Sequence, residues 1–262
     1  MRLVERRARW NKLLELLSEE GSLDVATASE RLGVSPATVR RDFKELDDQD
    51  LATRTHGGIV ATAVAYDLPL RYRSARRAAE KQRIGRIAAN LVAPGEVVGL
   101  NGGTTTTEVA RALGGRRDIQ ESVNPTTVVT NALNIASELV LRNQLKLVVV
   151  GGRVRAQTYE LVGPFGSAML EDVVLDVAFV GVDAVDAHLG ATSNDEDEAA
   201  TTRRMAERAR RVVVVADHVK LGTQAFARTL PPSRIQTLIT DRGASRDALD
   251  AFREAGITIL SD

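Results

Sequence analysis

Apolar positions in the first 60 residues recur every three or four residues. In "ERRARWNKLLELLSEEG", Trp10, Leu13, Leu14 and Leu17 share one side of a helix that Gly21 ends. "SLDVATASERLG" predicts a short extended entry, then a second helix with Val25, Ala28 and Leu32 on one face and Gly33 as its stop. A third helix opens at Ser35-Pro36, serine as N-cap and proline at the first helical position, where no N–H is needed. Val39, Phe43 and Leu46 form its apolar face. "LATRTHGGIVAT" reads as two short extended runs around His56-Gly57-Gly58, a hairpin.

The stretch "AYDLPLRYR" is irregular, and "RRAAEKQRIGRIAANLV" predicts a helix. From Pro94 the pattern changes. Apolar runs at 97–100, 127–130, 146–150, 176–182, 211–216, 235–240 and 257–260 predict strands, with amphipathic or polar segments between most of them. Continuous Val/Ile/Leu runs suit strands buried on both faces. The alternation predicts an α/β domain with a mainly parallel sheet, whose strand order the pattern does not encode. The chain thus divides into three segments: 1–60, a winged helix-turn-helix; 61–90, a connector with a helix; and 91–262, a larger α/β domain.

Composition narrows this. The chain has 262 residues, 44% of them hydrophobic, enough to build one large core and one small one. It has no cysteine, which excludes disulfides and thiolate metal sites and fits a reducing cytoplasm, the expected location. The start is charged throughout and lacks the apolar stretch of a secretory signal. The most apolar segment, "VVLDVAFVGV", contains Asp176 and is shorter than the ~20 residues a membrane helix needs, so no membrane partner is expected. The formal net charge of zero is unevenly spread. Residues 1–60 carry 10 Lys/Arg and 11 Asp/Glu; residues 61–90 carry 7 and 2; residues 91–262 carry 18 and 22. The connector is thus basic, and its Arg76, Arg77, Lys81 and Arg83 suit either nucleic-acid phosphates or ion pairs.

If Val39, Phe43 and Leu46 face inward, Ala37, Thr38, Arg41 and Lys44 face outward or sideways, with Arg40 on a flank. Guanidinium groups on such a helix can bond O6 and N7 of guanine in the major groove. The helix start at Ser35 can meet a phosphate through its free N–H groups. Arg54 and His56 on the hairpin can follow the flanking backbone as a wing. The plainer reading is a solvated face, its arginines paired with Asp42, Glu45 or Asp48. The organisation favours DNA: two short helices, a tight turn, a capped third helix and a Gly-Gly hairpin within 60 residues.

"VSPATVRRDFKELDDQDLATRTHGGIV" resembles the N-terminal signature of the DeoR family of bacterial transcription regulators. Later stretches resemble successive blocks of that family in order: "EKQRIGRIAANLVAPGEVVGLNGGTTTTEVARAL", "VVTNALNIASEL", "VVVGGRVRAQTYELVGP" and "VVVVADHVKLG". The resemblance covers nearly the whole chain. It implies a DNA-binding regulator, generally a repressor of sugar metabolism, with a C-terminal sugar-phosphate sensor similar in fold to ribose-phosphate isomerases and coenzyme A transferases. It also implies effector contacts for Glu198 and Arg203. Asn101 and Thr202 depart from the family's common Asp and Lys. One small domain reads few base pairs, so a homodimer or homotetramer on double-stranded operator DNA is expected.

The residues of the second half support a sensor on their own terms. In "VVGLNGGTTTTEVARAL" a strand ends at Leu100, glycines turn the chain, and threonines open a helix. Asn101, Gly102, Gly103, Thr104, Thr105 and Thr106 suit a phosphate, through close backbone approach, free N–H groups and hydroxyls. The alternative is that the threonines only cap the helix. Other strand ends add Thr130 and Asn131, Gly152 and Arg153, Asp183, and Asp217 with Lys220. Taken singly, each reads as well as a loop or cap residue; together they offer a sugar phosphate cationic donors for its phosphate and carboxylates and amides for its hydroxyls. The acidic run "SNDEDEAA" reads as a helix start complementing the helix dipole, so no metal or cofactor is expected. A competing function is a phosphosugar isomerase with an accessory DNA-binding domain, using Asp183, Glu198 and Lys220 as acid/base groups. No compact catalytic arrangement supports it, and the expectation is a regulator without catalysis. A third possibility is a DNA-binding protein whose α/β domain only assembles subunits.

Overall fold

The computed structural model describes residues 2–48, 51–60 and 77–262. Arg76 and the irregular part of the connector lie outside the described residues. The chain divides into two compact units, Met1–Arg76 and Arg77–Asp262.

The first unit holds α1 (Arg2–Glu20), β1 (Ser22–Asp24), α2 (Val25–Leu32), α3 (Pro36–Asp47), β2 (Thr53–Arg54) and β3 (Gly58–Val60). Asp24 caps α2 by accepting from the N–H groups of Ala26 and Thr27, each at 2.8 Å. Gly33 closes that helix with φ 62°, a left-handed turn that glycine adopts at little cost. The three strands form an antiparallel sheet of order β1-β3-β2. Trp10, Leu13 and Leu17 of α1, Ala28 of α2, and Val39, Phe43 and Leu46 of α3 meet Leu23 and Ile59 in one core. The apolar periodicity of all three helices is thereby used.

The second unit begins with α4 (Ala78–Asn90) and carries seven main strands: β4 (Val97–Leu100), β5 (Thr127–Thr130), β6 (Lys146–Val149), β9 (Leu175–Gly181), β12 (Ala209–Val215), β14 (Thr237–Thr240) and β15 (Thr258–Ser261). They form one sheet of order β15-β14-β12-β9-β4-β5-β6, and every neighbouring pair is parallel. All seven expected strands are present, two with the expected ends and five with ends shifted by one or two residues. Alternate side chains face opposite sides. Val177 and Phe179 of β9 and Val213 and Val215 of β12 pack with α4, α5 (Thr104–Gly114) and α7 (Leu133–Leu139). Ala178, Val180, Val212 and Val214 pack with α8 (Pro164–Glu171), α9 (Glu196–Glu207) and α10 (Arg246–Glu254). A short helix, α6 (Arg117–Gln120), lies between α5 and β5.

Two small additions were not expected: the hairpin β7 (Arg153–Arg155) with β8 (Glu160–Val162), and a sheet of order β10-β11-β13 from Ala184–Asp186, Gly190–Ser193 and Ala227–Leu230. The helical part of the connector is α4, which belongs to the second unit. Its Gly85 lies against the backbone of Glu108, so closely that a Cβ there would stand 2.7 Å from the Glu108 carbonyl carbon. Within this unit Arg83 pairs with Asp262 at 2.5 Å, and Lys81 is buried.

The winding of the sheet locates a crevice. From β4 the chain steps to β5 and then β6. It returns to β9 on the opposite side of β4 and continues outward through β12, β14 and β15. The direction therefore reverses between β4 and β9. In open parallel sheets, loops leave such a point in opposite directions and open a ligand crevice at the carboxyl ends of the strands.

Candidate functional site

The first unit presents a cationic helix face. Ser35 adopts the extended backbone of an N-cap, accepts from the Thr38 N–H at 3.2 Å, and shares a 2.9 Å hydroxyl contact with Thr38 Oγ1. Val39, Phe43 and Leu46 are buried. Ser35, Ala37, Arg40, Arg41 and Lys44 are exposed and Thr38 is half-buried. The nearby carboxylates are committed elsewhere. Asp42 is buried and accepts from Arg9 Nε at 2.5 Å, Arg9 Nη2 at 3.0 Å and Trp10 Nε1 at 3.0 Å. Glu45 binds Arg6 at 3.1 Å. Among the described residues, Arg40, Arg41 and Lys44 make no ion pair. The charge of α3 is thus sorted by face: Asp42 and Glu45 turn toward α1, and Arg40, Arg41 and Lys44 are left to solvent. Asp47 accepts from the Arg54 N–H at 3.0 Å and ties the hairpin to the end of α3, and Arg54 and His56 are exposed on that hairpin.

In the second unit, the carboxyl ends of β4, β5, β9 and β12 gather most of the expected sensor residues. Asn101 is buried at the reversal point. Its Nδ2 donates to Gly181 O at 2.9 Å and to Thr202 Oγ1 at 3.2 Å, and its Oδ1 accepts from Gly181 N at 2.8 Å. The two positions that depart from the family pattern therefore touch each other, as a neutral hydrogen-bonded pair. Gly103 precedes α5 with φ 135°, a conformation open to glycine and strained for other residues, and caps the helix without a side chain. Thr106 and Thr107 donate their hydroxyls back to Gly103 O, at 3.1 and 2.6 Å. Thr104 is half-buried. Thr105 is buried and its Oγ1 has no partner among the described residues. These hydroxyls are thus turned back onto a carbonyl and cap no N–H group, and the first-turn N–H groups of α5, which have no partner within a helix, remain as donors.

Thr130 Oγ1 accepts from Ala132 N at 3.1 Å. Asn131 is fully buried; its Nδ2 donates to Glu160 Oε2 at 2.9 Å and to Leu161 O at 3.1 Å, and its Oδ1 is unpartnered. Asp183 accepts from Ser193 Oγ at 3.1 Å and Asn194 N at 2.9 Å. Lys220 Nζ donates to Val182 O at 2.5 Å, which sets an ammonium beside Asp183 at the end of β9. Asp217 is buried at the end of β12 with an unpartnered Oδ1. Gly152 lets β7 approach β8: a Cβ there would stand 2.6 Å from Val162 O. Arg153 is exposed and paired with Asp197 at 2.6 Å. Arg203 is exposed and donates to the carbonyls of Thr229 and Arg228 on β13.

Three residues missed in the sequence join the candidate site. Arg155, two positions beyond Arg153, is the inner arginine, bound to Asp195 at 3.0 Å and Glu198 at 2.9 Å. Thr158 donates to Glu198 at 2.5 Å. Glu160 is buried against the turn after β4, where a Cβ on Gly102 would stand 2.2 Å from its Cγ. Burial, and then the negative charges of Glu198 and Asp183, push the Glu160 carboxyl up to about 8, against the hydrogen bonds from Asn131 and from Gly102 N–H. Burial also raises Glu198, helped by Asp183 and Asp195 and opposed by Thr158 and Arg155. The only signal for Glu160 in the sequence is a lone acid in an otherwise apolar three-residue strand, "ELV", too short to assign a face.

In the turn after β12, His218 Nδ1 lies 2.7 Å from Oδ2 of Asp241, the residue after β14, and the His218 N–H donates to Asp241 Oδ1 at 2.8 Å. Burial works to raise the Asp241 carboxyl; the N–H groups of His218 and Gly243, with the His218 ring, outweigh it and hold the carboxyl below its usual range. Among the described residues, no group of three His, Cys, Asp or Glu is placed to hold a metal ion, and no helix is long and apolar enough to cross a membrane.

Comparison with known proteins agrees with both halves. Residues 9–63 match the DeoR-like helix-turn-helix domain, and residues 76–242 match the DeoR C-terminal sensor domain. The HTH-type transcriptional regulator GlpR of Haloferax volcanii is 35% identical, covering 96% of each chain. The glycerol-3-phosphate regulon repressor of Escherichia coli (strain K12) is 30% identical, covering 89% of this chain and 90% of that protein. Ribose 5-phosphate isomerase A from Methanocaldococcus jannaschii aligns over 53% of this chain and 52% of its own at 21% identity and a TM-score of 0.40, and no weight rests on that likeness. The cation-bearing α3, the parallel sheet with its crevice, and relatives that match along nearly the full length all lead to one assignment: the chain belongs to the DeoR family, as a DNA-binding transcription regulator and not an enzyme.

Proposed function

We propose that the protein is a repressor of a sugar-metabolism operon, bound to its operator as a homodimer or homotetramer and released by a phosphorylated sugar. α3 enters the major groove, with Arg40, Arg41 and Lys44 toward the duplex and Ser35 and Thr38 at the helix start near a backbone phosphate. Arg54 and His56 follow the flanking backbone. The phosphate of the effector meets the first-turn N–H groups and threonines of α5, and the sugar hydroxyls meet Asn131, Asp183, Asp217 and Lys220. Arg153 and Arg203 act at the rim.

The observation that carries this reading is that several buried polar atoms at or just after the carboxyl ends of the strands have no partner among the described residues: Thr105 Oγ1, Asn131 Oδ1, Asp217 Oδ1 and Thr240 Oγ1. Buried polar groups are almost always satisfied, so exceptions at this end of a parallel sheet mark places where something else can supply the bonds. A thermal-shift panel tests it. Sugar phosphates are expected to raise Tm and the same sugars without phosphate are not. A panel in which no phosphorylated sugar stabilises the protein supports a domain that only assembles subunits.

A further inference from the structure

Glu160 sits where the proposed phosphate loop turns, and any role for it in binding rests on that loop being the anion site. Its carboxyl group lies directly under the backbone of Gly102, one residue before the Gly103 cap of α5. It is 4% exposed and held by Asn131 Nδ2 at 2.9 Å. The charged groups around it come from four other elements. α9 and its cap supply Glu198 and Asp195, the loop after β9 supplies Asp183, β7 supplies Arg155, and the turn after β12 supplies Lys220, whose ammonium binds Val182 O beside Asp183. Arg155 is already engaged by Asp195 and Glu198. A dianion arriving at the start of α5 thus meets a neighbourhood with more carboxyl groups than cations.

We propose that Glu160 is a proton-linked gate of the effector site: with its proton it admits an anion to the Gly102–Gly103 turn, and without it the turn repels one. The geometry has two consequences. The protonated carboxyl adds no charge beneath the loop and turns an acceptor into a donor. Asn131 Oδ1, buried and unpartnered beside it, belongs to the same polar cluster and is available to any donor on the ligand. The ionised carboxylate instead stands a few ångströms from the bound anion in a poorly solvated place, where like charges repel most strongly. Proton and anion therefore bind with mutual assistance, and each must raise the affinity for the other by the same factor.

Sulfate is the appropriate probe, because it keeps two negative charges across the range tested whereas a phosphate ester titrates within it. The full chain is titrated with sulfate by calorimetry from pH 6 to pH 9.5. Affinity is expected to be level at low pH and to fall by up to about tenfold per pH unit once the burial-shifted carboxyl of Glu160 ionises. Glu160→Gln is expected to bind sulfate with little dependence on pH. If that variant does not fold, the wild-type protein carries the test through titrations in buffers of different ionisation enthalpy. There, sulfate binding is expected to take up close to one proton at high pH and none at pH 6. Sulfate binding that ignores pH and takes up no proton overturns the gate and leaves the anion site standing. Absence of sulfate binding at every pH removes both.

Discussion

Asp42 determines what the adjacent arginines can do. A carboxylate at that position could have neutralised Arg41, its neighbour in sequence. Its burial against Arg9 and Trp10 removes it from the exposed face instead. Single side chains can be tested on both sides of this arrangement. Arg41→Ala should leave stability within about 0.5 kcal/mol of wild type, since the side chain pairs with no described residue, yet weaken binding to a selected operator by about 1–3 kcal/mol. Thermal melts and gel-shift titrations measure the two quantities; unchanged operator affinity would contradict the placement of α3. Asp42→Ala should cost the DNA-binding unit about 3 kcal/mol, the lower end for a broken buried pair because Arg9 keeps some contact with water. Denaturant unfolding checks it, and a loss below 0.5 kcal/mol would mean that the pair is not what orders α1 on α3. Glu160 gives a third test. Its carboxyl titrates at about 8 when folded, against an ordinary 4.5. Between those values the native state holds the extra proton, so this residue's contribution to stability is full below 4.5 and falls as pH rises toward 8. The decline in Tm over that window should be shallower in Glu160→Gln, and parallel Tm profiles would show that Glu160 is ionised in the native state.

The elements differ in how far the sequence announced them. α1, α2, α3 and the seven parallel strands were legible because each buries a periodic or continuous apolar run. Val39, Phe43 and Leu46 leave one helical solution, and "VAFVGV" and "RVVVV" have no polar face to expose. The hairpin β7–β8 was not legible: its strands are three residues long, and they owe their shape to Gly152 and to bonds with Asn131 and Asp197 far away in the chain. That hairpin brings Arg155, Thr158 and Glu160 to the site, so the inner arginine and the buried acid were missed together. Asn101 and Thr202 were legible only as two unrelated departures, since their contact depends on strand order. The turn after β4 is a tight junction between elements. Gly102→Ala should strain it, because the new methyl group would overlap Glu160, at a cost of about 1–3 kcal/mol to the sensor unit. Glu160→Ala in the same chain should relieve most of that loss, and failure of the double variant to recover would place the strain elsewhere.

For the whole molecule, the function rests on two units with opposite demands. One offers cations to a polyanion; the other, with 23 acidic against 22 basic residues over 77–262, has no net positive charge with which to attract a phosphorylated ligand. On the proposed reading, helix-start N–H groups, Lys220 and a carboxyl kept neutral by burial make that attraction local rather than global. Control of DNA by sugar requires that the ligand bind the operator-free state more tightly than the operator-bound one. The central claim is therefore a coupling, and one measurement addresses it directly: operator affinity of the intact protein at fixed salt, with and without a saturating sugar phosphate that raises its Tm. The account predicts that the sugar phosphate weakens operator binding about 5–150-fold, and that operator DNA weakens sugar-phosphate binding by the same factor. An operator affinity that stays constant while the sensor is saturated would contradict it.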